Sequence, residues 1–208
     1  MLLPFFEYMT EFFGPFRVFE YLSIRTIFAT LTALLVSLLL GPRYIASMRN
    51  NRVGQVVRNE GPSTHHKKRG TPTMGGLLIL GSIALSTLLW ADLDNRFVWI
   101  ALLTCLSFGV VGWFDDRKKL SRKDSRGIGA RNKFIWQSLV GLAAGLALFF
   151  TAQAPSEIQL IVPLFKEVAL NLGFGFVVLT WFVVVGFSNA VNLTDGLDGL
   201  AIMPSVLV

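Results

Sequence analysis

Residues 168–201 read VALNLGFGFVVLTWFVVVGFSNAVNLTDGLDGLA, an apolar run long enough to cross a bilayer that ends in a polar stretch. Asp195 and Asp198 are three residues apart, so in a helix they would share one face, and the glycine after each leaves the backbone uncovered. A cation or a phosphate can approach such a backbone closely. A plainer interpretation is that Asn192 or Thr194 caps a helix whose positive end favours the acids.

The composition predicts an all-α polytopic membrane protein. Of 208 residues, 53% are hydrophobic and 15% charged, with a mean hydropathy of +0.58. The net charge of +6 lies in loops between apolar runs and not on a folded domain, so it indicates membrane topology and no nucleic-acid partner. Cys105, the single cysteine, excludes an internal disulfide framework.

Apolar runs predict five complete transmembrane helices and the start of a sixth within one integral membrane domain, 1–208. Residues 1–21 carry phenylalanines at helical spacing, which predicts an amphipathic interfacial helix broken near Gly14 and Pro15. The spans are expected near 23–40, where Gly41 and Pro42 end the first, and near 72–90, 97–114, 134–151 and 168–187. The sixth begins near residue 193 and still runs at Val208, so we expect the sequence to be the front part of a longer protein.

Basic residues alternate between the loops. Fifteen of the 19 Lys and Arg residues fall in the loops after the first and third spans. The positive-inside bias makes those loops cytoplasmic and puts the N-terminus outside. The polar stretch that ends with Asp198 then returns to the cytoplasmic side.

The second span is entered by HHKKRGTPTMGG, residues 65–76. Thr71 is expected as the N-cap and Pro72 as the first helical residue, so free N–H groups would face the cytoplasm and attract phosphate, helped by Lys68. The alternative is that these cations only anchor the span against anionic lipid. The two adjacent histidines suit either metal binding or simple solvation.

The third span ends in GWFDDRKK, which puts Asp115 and Asp116 at an expected helix C-terminus. The macrodipole disfavours each acid there by about 0.3–1 kcal/mol, so neighbouring cations or a divalent metal must compensate. Consecutive side chains diverge by about 100°, so one acid can meet metal or substrate while the other pairs with a lysine. Lys133 opens the fourth span at the same depth. Together the clusters predict phosphate chemistry on a lipid-borne substrate.

These three motifs, in this order, resemble the bacterial phospho-N-acetylmuramoyl-pentapeptide transferase family. The resemblance implies a ten-helix, homodimeric enzyme of the bacterial inner membrane, with a periplasmic N-terminus and a cytoplasmic active site. It implies transfer of phospho-N-acetylmuramoyl-pentapeptide from UDP-MurNAc-pentapeptide to undecaprenyl phosphate, which forms lipid I and UMP for peptidoglycan and cell wall synthesis, with Mg²⁺ as cofactor.

The resemblance also implies site residues. The catalytic and metal-binding pair is Asp115 and Asp116, the cleft cations are Lys68 and Lys133, and substrate is bound by Thr73, Asn192, Asp195 and Asp198. Family members continue to a third essential aspartate and a histidine-rich loop. We therefore expect residues 1–208 alone not to turn over substrate.

Three other functions compete with this interpretation. Transferases of N-acetylglucosamine-1-phosphate to a polyprenyl phosphate have similar acidic motifs, although HHKKRGTPTMGG favours the muramoyl enzyme. A transporter or flippase would hold its site near the bilayer midplane, whereas these polar clusters lie at span ends. A non-catalytic scaffold or interaction target is the third.

Overall fold

The computed structural model describes residues 1–50, 73–122, 127–162, 169–194 and 200–202. The chain divides into two compact units, Met1–Gly129 and Ala130–Val208. The helices of the first unit are α1 (Leu2–Thr10), a 3₁₀ helix (Gly14–Glu20), α2 (Leu22–Asn50), α3 (Gly76–Trp90) and α4 (Arg96–Arg122). The second unit contains α5 (Ala130–Thr151), a 3₁₀ helix (Pro155–Ile158), β1 (Gln159–Ile161), β2 (Ala169–Asn171) and α6 (Gly175–Thr194).

The predicted all-α polytopic membrane fold is confirmed. Within the described ranges, four helices, α2, α4, α5 and α6, are long and apolar enough to cross a membrane. They leave large apolar side chains such as Leu35 and Leu38 exposed, as lipid-facing helices do. Helix α3 is also apolar but has only 15 residues. Its length is about 22 Å, which is less than the roughly 30 Å of bilayer hydrocarbon.

The end of α2 differs from the sequence expectation. Gly41 and Pro42 were expected to end the helix, but α2 continues through both to Asn50. Proline removes one backbone hydrogen bond and crowds the preceding turn, and helices in membranes tolerate this where neighbouring elements hold them. Here the Tyr44 hydroxyl donates to the Met74 carbonyl oxygen at 2.9 Å, and Gly41 lies beside Leu78 of α3.

The start of α3 also differs. Thr73 and Met74 are not helical, and Gly75 is the N-cap, so the helix begins at Gly76 and not at Pro72. Met74 has a φ of 70°, which is incompatible with a right-handed helix. The expected cap Thr71 and Pro72 lie outside the described residues.

The expectation that Asp115 and Asp116 lie at a helix C-terminus is wrong. Helix α4 continues two turns beyond them to Arg122. The macrodipole effect falls off within the last turn, so its penalty does not apply to these acids. The last turn contains Lys119 and Arg122 instead, whose charges the dipole favours.

Helix α6 is displaced relative to the expected spans. Residues 169–171 form β2, which pairs antiparallel with β1, and α6 begins only at Gly175. The turn between them contains Gly173 with a φ of +50°, whose N–H donates to Asn171 Oδ1 at 3.1 Å. At its other end α6 includes Asn192 and runs to Thr194. The expected sixth transmembrane span therefore does not begin at residue 193, and Asn192 is not an N-cap.

The first unit is held together by polar contacts between α2 and α3 and by an aromatic cluster. Ser37 Oγ donates to Ser82 Oγ at 3.1 Å, and Trp90 Nε1 donates to Thr32 Oγ1 at 2.9 Å. Phe6, from the expected amphipathic segment, stacks on Phe19 at 4.1 Å between ring centroids, and both rings lie against Trp90. The expected break near Gly14 separates α1 from the 3₁₀ helix.

The second unit is built on close packing of α5 against α6. Gly141 and Gly145, four residues apart, form a small-residue face of α5 that lets the two backbones approach. A Cβ added at Gly145 would lie 3.0 Å from the carbonyl oxygen of Val177, which is 2% exposed. A Cβ at Gly141 would lie 3.1 Å from Val185 Cγ2. The interface therefore depends on the absence of side chains at these two positions.

Candidate functional site

Asp115 is a buried carboxylate that clamps the end of α4 to the segment after it. Its exposed fraction is 8%. Its Oδ2 accepts an ion-paired hydrogen bond from Lys119 Nζ at 2.6 Å, and its Oδ1 accepts the backbone N–H of Ile128 at 2.6 Å. Both bonds are charge-assisted, which makes them stronger than neutral ones. A buried acid is tolerated here because these donors replace water.

Gly127 fits beneath this carboxylate because it has no side chain. Its φ is +57°, in the left-handed region that favours glycine. A Cβ at this position would overlap Asp115 Oδ1 and would lie 2.8 Å from Lys119 Cε. The contact of this glycine with Asp115 was not predicted from the sequence and becomes visible only in three dimensions.

Asp116 faces a different environment. It lines a cleft of about 160 Å³ between α3 and α4, together with Met74, Gly76, Leu77, Leu80, Gly109, Gly112 and Trp113. Gly109 allows Leu80 to pack against the α4 backbone, since a Cβ there would overlap the Leu80 side chain. As far as the described residues line it, the cleft is therefore apolar along its walls and carries one carboxylate.

Lys119 connects the two acids. Its Nζ lies 2.6 Å from Asp115 Oδ2 and 3.4 Å from Asp116 Oδ1. The sequence predicted that one of the adjacent acids would pair with a lysine while the other met metal or substrate, but Lys119 pairs with both, more closely with Asp115. Lys119 itself was not predicted as a site residue. Its spacing of four and three residues from the two acids was the available signal.

The remaining predicted site residues are distributed over both units. In the first unit, Thr73 is half-buried and directly precedes Met74 of the cleft. In the second unit, Lys133 lies in the first turn of α5 and is half-buried, and Asn192 is exposed in the last turn of α6. Three predicted site residues and the histidine pair lie outside the described residues: Lys68, Asp195, Asp198, His65 and His66.

A second polar contact, which the sequence analysis missed, lies between α5 and α6. Gln137 is 4% exposed, and its Oε1 accepts a hydrogen bond from Asn189 Nδ2 at 2.9 Å. Asn189 Nδ2 also donates to the Val185 carbonyl oxygen at 2.9 Å. A glutamine and an asparagine within otherwise apolar spans were the signal for this contact.

The first unit has donors of the type that Mg²⁺ prefers. Among the described residues, no group of three or more His, Cys, Asp or Glu side chains is placed to hold a metal. Mg²⁺, however, is commonly bound by one or two carboxylates together with waters and substrate phosphates. Asp116, partly exposed on the cleft, fits this substrate-assisted mode, and the buried Asp115 lies beside it in the sequence.

Comparison with protein families matches both sides of this cleft. The model for glycosyl transferase family 4 matches residues 98–208, and signature 1 of phospho-N-acetylmuramoyl-pentapeptide-transferase matches residues 68–80. The signature contains Met74 and Leu80 on the α3 side, and the family model contains Trp113 and Asp116 on the α4 side. The chain is thus an integral membrane protein of the phospho-sugar transferase type, and it belongs to glycosyl transferase family 4.

Proposed function

We propose that this protein transfers phospho-N-acetylmuramoyl-pentapeptide from its UDP carrier to undecaprenyl phosphate, which forms lipid I and UMP. One observation carries the proposal: residues of the muramoyl-transferase signature and of the family model line the same cleft, with Asp116 as its carboxylate. The proposal includes a bacterial inner membrane location, a periplasmic N-terminus, a cytoplasmic active site and a homodimeric protein.

The chemistry of the cleft supports an amphiphilic substrate. Leu77, Leu80 and Trp113 offer apolar contacts of the kind that a prenyl chain makes, while Asp116 marks a polar end. In the reaction, an oxygen of the lipid phosphate forms a bond to the sugar-linked phosphorus, and the bond from that phosphorus to the UMP oxygen breaks. Such a transfer depends mainly on positioning and on electrostatic stabilisation.

The two aspartates receive different tasks in this proposal. The family resemblance gave Asp115 the task of orienting or deprotonating the lipid phosphate, but the exposure of Asp116 to the cleft supports Asp116 for that task. The contacts of Asp115 with Lys119 and with the Ile128 N–H support a role in holding the site together. Asp115 stays in the proposed catalytic pair because it matches the family's aspartate pair.

The other roles follow the family resemblance. Lys68 and Lys133 would bind phosphate oxygens, Thr73 would contact the substrate, and the nucleoside side would be bound by Asn192, Asp195 and Asp198. Asp115 and Asp116 would contribute to a Mg²⁺ site. When bound, Mg²⁺ would neutralise charge on the diphosphate and stabilise the departing phosphate.

A UMP-release assay on the full-length natural protein in detergent tests this function. We expect UMP release with UDP-MurNAc-pentapeptide and undecaprenyl phosphate, loss of release with EDTA, and recovery with Mg²⁺. UDP-N-acetylglucosamine is the matched control substrate. Release from that sugar alone would assign the protein to the N-acetylglucosamine-1-phosphate transferases, and release from neither sugar would support a scaffold.

A further inference from the structure

A buried amide pair lies one helical turn from the proposed nucleotide side. Gln137 and Asn189 join α5 to α6 through a 2.9 Å hydrogen bond at a position where Gln137 is 4% exposed. Lys133 is four residues before Gln137 in α5, and Asn192 is three residues after Asn189 in α6. At these spacings each pair shares one helix face. The hydrogen bond between Gln137 and Asn189 therefore lies one turn further into the helix pair than Lys133 and Asn192.

Packing alone fixes the opposite part of this interface. Around Gly145 and Val177 the helices meet through small and branched apolar groups. Apolar ridges and grooves allow one helix to slide or rotate slightly relative to the other, whereas a hydrogen bond between two short amides has a narrow range of distance and direction. In lipid the unpaired amides have no water to replace the lost partner, so the bond favours a single register.

We propose that Gln137 is a positioning residue, whose hydrogen bond to Asn189 fixes α5 and α6 in the register that holds Lys133 and Asn192 for the nucleotide-sugar. This inference rests on the proposed function for the roles of Lys133 and Asn192. Gln137 does not touch substrate in this account. It acts through Asn189, which also bonds the Val185 carbonyl oxygen and so is fixed relative to its own helix.

The kinetic test uses Gln137→Met, which keeps the length of the side chain and removes the acceptor. We expect the KM for UDP-MurNAc-pentapeptide to rise about 3- to 15-fold, the range that hydrogen bonds between transmembrane helices provide. The KM for undecaprenyl phosphate should change less than that for the nucleotide-sugar. Gln137→Glu keeps an acceptor for Asn189 and should restore at least part of the affinity. Asn189→Leu should match Gln137→Met, and the double variant should be no worse than either single variant.

Val177→Ala is the matched structural control. Val177 packs against Gly145, so the substitution loosens the same helix interface near Gly145. Gly145 lies about 12 Å along α5 from Gln137. Val177→Ala should lower the melting temperature and the amount of active protein but leave the nucleotide-sugar KM unchanged. An unchanged KM in Gln137→Met, or an equal KM change in Val177→Ala, would overturn the positioning role.

A second measurement does not depend on activity. Nitroxide labels at Ile135→Cys and Val191→Cys, two exposed positions on α5 and α6, report the helix register in a Cys105→Ser background. Gln137→Met should broaden or shift the distance distribution, and Val177→Ala should do so less. If the wild type releases no UMP, the proposed function fails while this measurement still decides the register. Identical distance distributions in wild type and Gln137→Met would refute the proposal that this hydrogen bond fixes the register of α5 and α6.

Discussion

Gly127→Ala is expected to release the segment after α4 from the Asp115 carboxylate. The added Cβ would overlap Asp115 Oδ1 and would lie 2.9 Å from Asp115 Cγ and 2.8 Å from Lys119 Cε. Neither neighbour can retreat freely, because they form a 2.6 Å ion pair with each other. The simplest relief is movement of the segment, which breaks the hydrogen bond from the Ile128 N–H.

The magnitude follows from two separate costs. An alanine held at a φ of +57° costs about 1–2 kcal/mol relative to its preferred conformations. Forcing an extra methyl group into a packed position costs about 1–3 kcal/mol. Together they destabilise the closed arrangement of residues 127–128 by about 2–5 kcal/mol. Because the segment can open without unfolding α4, most of this should appear as local opening.

Hydrogen–deuterium exchange at the Ile128 amide measures that opening. We expect exchange to accelerate at least about 30-fold in Gly127→Ala, the factor that corresponds to about 2 kcal/mol. Gly129→Ala is the matched control, since a Cβ there has no atom within 4 Å and the backbone is not left-handed. Equal exchange of the Ile128 amide in the two variants would refute the clamp.

Three further predictions concern the site and the helix packing. Asp116→Asn should lower UMP release at least about 100-fold with an unchanged melting temperature, and near wild-type turnover would remove Asp116 from the chemistry. Lys119→Met should cost roughly 1–3 kcal/mol in a denaturation assay by leaving a buried acid without this partner, whereas Lys118→Met, which loses no ion pair among the described residues, should be close to neutral. Gly145→Ala should destabilise α5 against α6 by about 1–3 kcal/mol and Gly186→Ala should not, so equal melting temperatures would contradict the packing account.

Helix positions were predictable where apolar runs were uninterrupted and polar ends were clear. The run that became α5 was expected at 134–151 and is found at Ala130–Thr151. Predictions at proline and glycine were less accurate. Pro42 was interpreted as a helix end, but contacts from Tyr44 and Leu78 support the helix through it. Local propensity could not include those contacts, because their partners lie 30 or more residues away in the sequence.

The candidate site was predictable in its residue types but not in their division of labour. The sequence indicated Asp115 and Asp116 as a pair and expected them to diverge. Which acid is buried depends on how the segment at Gly127 folds back onto α4 and on how Leu80 of α3 packs against Gly109 of α4. These are contacts between segments, and adjacent identical residues give no local signal to distinguish them.

The sequence by itself determined the membrane class, the family and the chemical character of the site, because hydropathy, charge placement and motif spacing are properties of the linear chain. Tertiary structure alone decided that Asp115 clamps Ile128 while Asp116 lines the cleft, and that Gln137 finds Asn189 across 52 residues. The physical reason is that burial and hydrogen-bond partners depend on which helix faces meet. That choice is made by packing at glycines such as Gly109 and Gly145, where the missing side chain lets a neighbour approach.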